Sequence, residues 1–246
     1  MRPPSFPTKK SNMQTNSNES KIQYWNIWDI VHAIFLILIS AFILYILGLV
    51  IQDITPFQIP EQLITAINSS ISTCCGTIYL LKNYPLYYSF SNIKNYNAKK
   101  LLIAGFGGGV IVSAINFPYK TIFEKQEITA KLFIDIDTGK IYVITLLLFT
   151  VVIAPVVEEL LLRAGIYRII KNKFDATWGY IVTALIFSIM HTPSIPQAIK
   201  FILSSLILTY IYEKTNSVET SILAHSLWNM TFFASIYFYD AGLISQ

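Results

Sequence analysis

Glu158 and Glu159, followed by Arg163 four residues after Glu159, stand inside a run of Val, Ile, Leu and Ala apolar enough for a lipid bilayer. Two further apolar runs carry one histidine each. His191 has Phe187 four residues before it, and His225 has Asn229 four residues after it. Ionisable groups at membrane depth are costly and persist where they face a bundle interior and carry function. Two carboxylates, two imidazoles and an amide on separate apolar segments supply a general base, donors for developing charge and groups to hold a water. The chemistry that suits these types is hydrolysis.

The local spacings assign provisional parts. Glu159 and Arg163 share a helix face and can pair, which offsets the burial of both charges. Glu158, rotated by about 100° on the helix, then points elsewhere and is free to serve as general base. His225 and Asn229 present an imidazole and an amide side by side, able to donate to an oxyanion or to help hold a water or metal. Phe187 shields one flank of His191. Pro155, just before the glutamates, removes a backbone hydrogen bond and predicts a bent or opened helix. Each pattern alone has a plain structural reading. Glu159–Arg163 is a salt bridge, a lone histidine is a hydrogen-bonded core residue, and Asn229 is glue between helices. Their joint occurrence at compatible depth raises the functional reading. His32, beside Asp29, reads as interfacial.

The elements that must position these groups are membrane helices. Of 246 residues, 54% are hydrophobic and 13% charged, against about 25% charged in an ordinary soluble domain, and the mean hydropathy is +0.53. A spanning helix needs roughly 20 apolar residues. Candidate spans fall near 26–51, 62–82, 101–117, 141–170, 176–192, 195–212 and 218–239. The expected fold is therefore all-α, a polytopic transmembrane bundle of about seven helices around an intramembrane polar cavity. In the second span the small residues Ser69, Ser70, Ser72 and Thr73 suit close packing. In the third, Gly105 and Gly107–Gly109 fit close packing or a broken helix equally well. Cys74 and Cys75 are adjacent, with no metal or redox spacing, and read as two small buried residues.

Residues 1–24 are polar and predict a disordered cytoplasmic tail. The first apolar segment reads as a retained anchor rather than a cleaved signal. Residues 25–140 form N-terminal transmembrane helices, residues 118–140 a long mixed-charge loop among them, and 141–246 the helical core that bears the site. Lysines and arginines cluster before the first helix, between the second and third, and after the fourth. This places the N-terminus in the cytoplasm of a multi-pass protein of the cell membrane. Measured from a cytoplasmic hairpin at Lys173, Glu158 lies roughly 20 Å up one helix and His191 roughly 25 Å up the next. His225 lies about 10–15 Å into the last helix, so the three can meet in one buried layer. No finger, RNP or basic-helix pattern is present, which sets nucleic acid aside.

Glu-Glu-Leu-Leu-Leu-Arg at 158–163, Phe-Ser-Ile-Met-His at 187–191 and His-Ser-Leu-Trp-Asn at 225–229 match three ordered motifs, EExxxR, FxxxH and HxxxN. They resemble those of the CPBP (CAAX protease and bacteriocin-processing, or Abi) intramembrane proteases, over about residues 142–235. Where members often carry Phe-Arg-Gly, this chain has Leu162-Arg163-Ala164. The resemblance implies an intramembrane endopeptidase. Glu158 would activate water, His191 would help bind it, His225 and Asn229 would stabilise the oxyanion, and Glu159, Arg163 and Phe187 would support them. The family is described as metallo-endopeptidase, and a metal-independent, glutamate-activated route is also argued. With zinc, the ligands would be Glu158, His191 and His225, leaving a fourth position open. The balance tilts slightly against an obligatory metal, and no cofactor is certain.

The expected partners are the bilayer and a peptide or protein substrate, such as a signalling peptide, a bacteriocin or a membrane protein, cleaved near the cytoplasmic half of the bilayer. Two other classes compete: a non-proteolytic scaffold or bacteriocin-immunity protein with the same fold, and a small proton-relaying transporter. The intact site favours hydrolysis over the first. Inverted repeats, absent from the sequence, would be expected of the second.

Overall fold

A computed structural model describes residues 27–54, 59, 61–83, 98–123, 136–191 and 195–240. The polar segment 1–24 and the middle of the expected loop at 118–140 lie outside the described residues. Among the described residues the chain is helical and has no strand. Its elements are α1 (Ile27–Ile54), α2 (Glu61–Asn83), α3 (Ala98–Phe123), α4 (Ile136–Leu147), α5 (Ala154–Glu159), α6 (Arg168–Lys173), α7 (Ala176–His191), α8 (Ile195–Thr215) and α9 (Val218–Asp240). π-helical turns at Leu148–Ile153 and Leu160–Tyr167 join α4, α5 and α6 into one continuous run. The described helical runs therefore number seven. α3 and α4 reach further into the segment 118–140 than expected, to Phe123 and from Ile136.

The side chains are arranged for an apolar surrounding. On α7, Gly179, Thr183, Ala184, Phe187 and Ser188 face inward, while Trp178, Ile181, Leu185 and Ile189 are exposed. On α1, Ile30 and Ala33 are buried, and Phe35, Leu38, Phe42 and Leu47 are bare. Apolar surface on this scale is not left in water. Three stretches, Ile27–Ile54, Leu63–Lys82 and Ile141–Lys173, are long and apolar enough to cross a membrane by length and composition, and Ala176–His191 is apolar but shorter. The molecule is an all-α membrane bundle.

Small residues bring the helices together. A Cβ placed on Gly76 would lie 2.6 Å from Ile37 Cγ1, so α2 rests directly on α1. On Gly109 it would lie 2.8 Å from Leu227 Cβ, and on Gly108 2.2 Å from Ile211 Cδ1, so α3 packs tightly on α9 and α8. Of the two sequence readings of the third helix, close packing holds: α3 is unbroken. Cys74 is half-buried and Cys75 exposed, both as free thiols. The expectation that both are buried fails because α2 turns Leu63, Ala66, Ser70, Thr73, Thr77 and Leu80 inward and Cys75 away.

Tight links set the antiparallel order of the last helices. Asp175 Oδ1 accepts from the Trp178 N–H at 3.0 Å and caps α7. α8 ends at Asn216, which takes the left-handed conformation (φ 49°) that asparagine tolerates. Ser217 Oγ then accepts from the Thr220 N–H at 3.3 Å and starts α9. The central core is built from Leu80, Val112, Leu161, Leu162, Ile166, Phe187, Leu208, Ala224 and Trp228.

Candidate active site

The run α4–α6, with α7 and α9, brings Glu158, His191 and His225 to one level. Glu158 Oε2 stands 3.6 Å from His191 Nε2 and 3.9 Å from His225 Nε2. It has no hydrogen-bond partner among the described residues. The residues predicted to share a layer do share one.

Each imidazole is oriented from behind. His191 Nδ1–H donates to the Phe187 carbonyl at 2.8 Å, one turn back on α7. His225 Nδ1 lies 2.9 Å from Glu159 Oε1, a carboxylate oxygen that can only accept. In both rings Nε2 is therefore the nitrogen turned towards Glu158.

Glu159 and Arg163 pair as their spacing predicts, with Arg163 Nη1 at 3.0 Å from Glu159 Oε1 and both side chains fully buried. Arg163 Nη2 also donates to Ser205 Oγ at 3.0 Å and to the Ser205 carbonyl at 3.2 Å. The Phe187 ring lies under the guanidinium, 5.2 Å from Cζ, and 4.2 Å from the centre of the His191 ring. Its shielding therefore extends beyond the single flank expected. Phe201 covers another side of His191 at 4.8 Å, and Trp228 stacks on His225 at 5.4 Å.

Of the readings of Asn229, the structure shows the contact between helices: its Nδ2 donates to the Thr150 carbonyl at 2.7 Å. The helix itself explains why that oxygen is open. The Ala154 N–H reaches back to Phe149 O, and the next residue, Pro155, has no N–H to offer. The opening expected from Pro155 is the π-helical turn Leu148–Ile153, and Asn229 fills its carbonyl. His32 stands apart from the site, 3.4 Å from the Tyr79 hydroxyl.

Sequence reasoning missed four contributors: Ser205, Trp228, Thr150 and Thr77, whose Oγ1 lies 3.2 Å from Val157 O. The pair Ser204–Ser205 inside apolar α8, and a tryptophan one turn after His225, were the available signals. Thr150 acts through its backbone and left none.

Zinc donors at about 2.1 Å in a tetrahedron stand about 3.4 Å from one another. The separations of 3.6 and 3.9 Å from Glu158 Oε2 are wider. Among the described residues no group of three or more His, Cys, Asp or Glu side chains is arranged to hold a metal ion. Glu158 Oε2 thus stands further from His191 and His225 than the donors of a regular tetrahedral zinc set stand from one another.

Fold and site define a membrane protein with a buried, charged, imidazole-lined centre. The family model for the type II CAAX prenyl endopeptidase Rce1-like domain matches residues 140–231. The UPF0177 protein in the abiGi 5′ region of Lactococcus lactis subsp. cremoris is 30% identical over 165 residues, 66% of this chain and 68% of that protein. YaiH, a UPF0177 protein of Lactococcus lactis subsp. lactis (strain IL1403), is 40% identical over 76 residues, 31% of each chain. YxdF, of the same group and strain, is 24% identical over 151 residues, 60% of this chain and 83% of its own length. No solved structure matches. The chain belongs to the UPF0177 family, and its match to the Rce1-like endopeptidase model agrees with the CPBP (Abi) resemblance carried by the three motifs.

Proposed function

We propose that the protein is an intramembrane endopeptidase that hydrolyses a peptide bond with water activated by Glu158. The observation that carries this reading is the unpartnered Glu158 Oε2 facing His191 Nε2 at 3.6 Å. Across such a gap one water oxygen can sit about 2.8 Å from each atom. Its hydrogens point at the carboxylate and the imidazole, which aims a lone pair at a substrate carbonyl. Glu158 takes one water proton as the oxygen attacks, and passes it to the amine as the C–N bond breaks. The imidazolium form of His225 donates from Nδ1 to Glu159 and from Nε2 to the oxyanion. Arg163, Ser205 and Phe187 hold Glu159 and the rings in place.

On this reading residues 141–246 are the catalytic core and 25–140 complete the bundle. The protein is multi-pass in the cell membrane with its N-terminus cytoplasmic. Its substrates are peptides or proteins at the membrane, with signalling peptides, bacteriocins and membrane proteins as the classes to try. The test uses purified wild type and Glu158→Gln in detergent, with a panel of quenched-fluorescent peptides, lipidated and not. Turnover by the wild type that is absent from a folded Glu158→Gln protein, and that survives a chelator, is the expected result. Equal rates would replace this reading with a binding role for the same fold. Loss of turnover in chelator alone would replace the water-only route with a metal-dependent one.

A further inference from the structure

The segment that bears the two glutamates is braced from outside its own helix. Ala154–Glu159 lies between the π-helical turns Leu148–Ile153 and Leu160–Tyr167, where the regular ladder is interrupted on both sides. Ahead of it, the N–H groups that would ordinarily serve Thr150 O are engaged at Ala154 and absent at Pro155. Behind it, the Leu160 N–H is shared between Val156 O and Val157 O. A one-residue change of register in such a segment turns every side chain by about 100°, enough to swing Glu158 away from both histidines.

Two polar side chains on other helices reach carbonyls of this run, that of Thr150 ahead of the segment and that of Val157 within it, Thr77 sharing its one hydroxyl proton with Thr73 O. Asn229 Nδ2, on α9 one turn beyond His225, donates to Thr150 O at 2.7 Å. Thr77 Oγ1, on α2, lies 3.2 Å from the carbonyl of Val157, the residue before Glu158, and 2.8 Å from Thr73 O on its own helix. Thr77 is 2% exposed. Nothing about Thr77 belongs to the three motifs, and it stands 80 residues before Val157 in the chain.

We propose that Thr77 and Asn229 are the positioning residues that fix the rotation of Ala154–Glu159 and thereby aim the Glu158 carboxylate at His191 and His225. The inference rests on the reading of Glu158 as the base. It gives the Asn229 amide a backbone partner, creates that partner through Pro155, and assigns α2 a part in the site.

The test reads Glu158 directly as well as through turnover. N,N′-Dicyclohexylcarbodiimide is an apolar reagent that modifies carboxyl groups in apolar surroundings, and peptide mass mapping gives its rate at Glu158, with fully buried Glu159 as internal reference. Thr77→Val keeps the shape and removes the hydroxyl. The expected result is a several-fold change in the Glu158 labelling rate, a fall in kcat of ~10²-fold as for a misaimed base, and a KM within about twofold of wild type. Thr77→Ser restores all three. Asn229→Ala behaves like Thr77→Val, and its effect shrinks when Pro155→Ala returns an N–H to the helix. Unchanged labelling in folded Thr77→Val overturns the proposal. Equal effects of Asn229→Ala with and without Pro155→Ala remove Asn229 from it. Altered labelling in a protein whose wild type cleaves no peptide retains the positioning and discards the peptidase reading, so the two failures are distinct.

Discussion

One oxygen of Glu159 serves two partners: Oε1 lies 3.0 Å from Arg163 Nη1 and 2.9 Å from His225 Nδ1. The carboxylate written into the sequence as half of a local salt bridge is also the group that orients a histidine 66 positions away. Glu159→Gln leaves Arg163 buried with a neutral neighbour. Stranding one member of a buried ion pair costs about 3–5 kcal/mol. Unfolding of the variant in mixed micelles should show a loss of that order, while Glu158→Gln, which breaks no direct hydrogen bond, should unfold close to wild type. Equal losses in the two would contradict the separation of roles between adjacent glutamates.

Phe187 packs at once on His191, His225 and the guanidinium of Arg163, with ring separations of 4.2 and 5.6 Å to the histidines. It is fully buried. Phe187→Ala should therefore cost about 3–5 kcal/mol through the cavity it leaves. Phe187→Leu should cost less, because it keeps most of the volume. The comparison is again an unfolding curve in micelles, and an alanine variant as stable as wild type would mean that the rings close over the gap without loss.

The glycine cluster of α3 offers a test with an internal control. A Cβ on Gly109 would meet Leu227 Cβ at 2.8 Å and Ala224 O at 3.1 Å, whereas one on Gly107 would meet nothing within 4 Å. Gly109→Ala should destabilise by about 1–3 kcal/mol through overpacking of α3 on α9. Gly107→Ala should be neutral or stabilising by up to about 1 kcal/mol, since alanine is the better helix former. A reversed order in the melting temperatures would rule out the close α3–α9 approach.

The seven expected helices coincide with the seven described helical runs, and three of these runs hold stretches, Ile27–Ile54, Leu63–Lys82 and Ile141–Lys173, long and apolar enough to cross a membrane. The span at 218–239 became Val218–Asp240, and that at 176–192 became Ala176–His191. The polar centre was legible too: Glu158, Glu159, Arg163, His191 and His225 have no cause to sit in apolar runs unless they meet. What periodicity does not carry is which partner each group meets. The spacing of Glu159 and Arg163 announces their pair, and nothing local announces Glu159 with His225, Arg163 with Ser205, or Thr77 with Val157 O. The π-helical turns were half visible, through Pro155, but their register depends on Asn229 arriving from another helix. The burial expected of Cys74 and Cys75 failed for the same reason, since the facing of α2 is set by its neighbours and not by its own composition.

The central claim is that Glu158 and His191 act on one water molecule. The most direct measurement compares kcat for Glu158→Gln, His191→Ala and the double variant on whichever peptide the wild type cleaves. Groups that act as a unit give grossly non-additive losses, so the double variant should be no slower than the slower single variant. Losses that multiply, in proteins that remain folded, would mean that the two residues work independently and that the 3.6 Å gap between Glu158 Oε2 and His191 Nε2 is not where the water is activated.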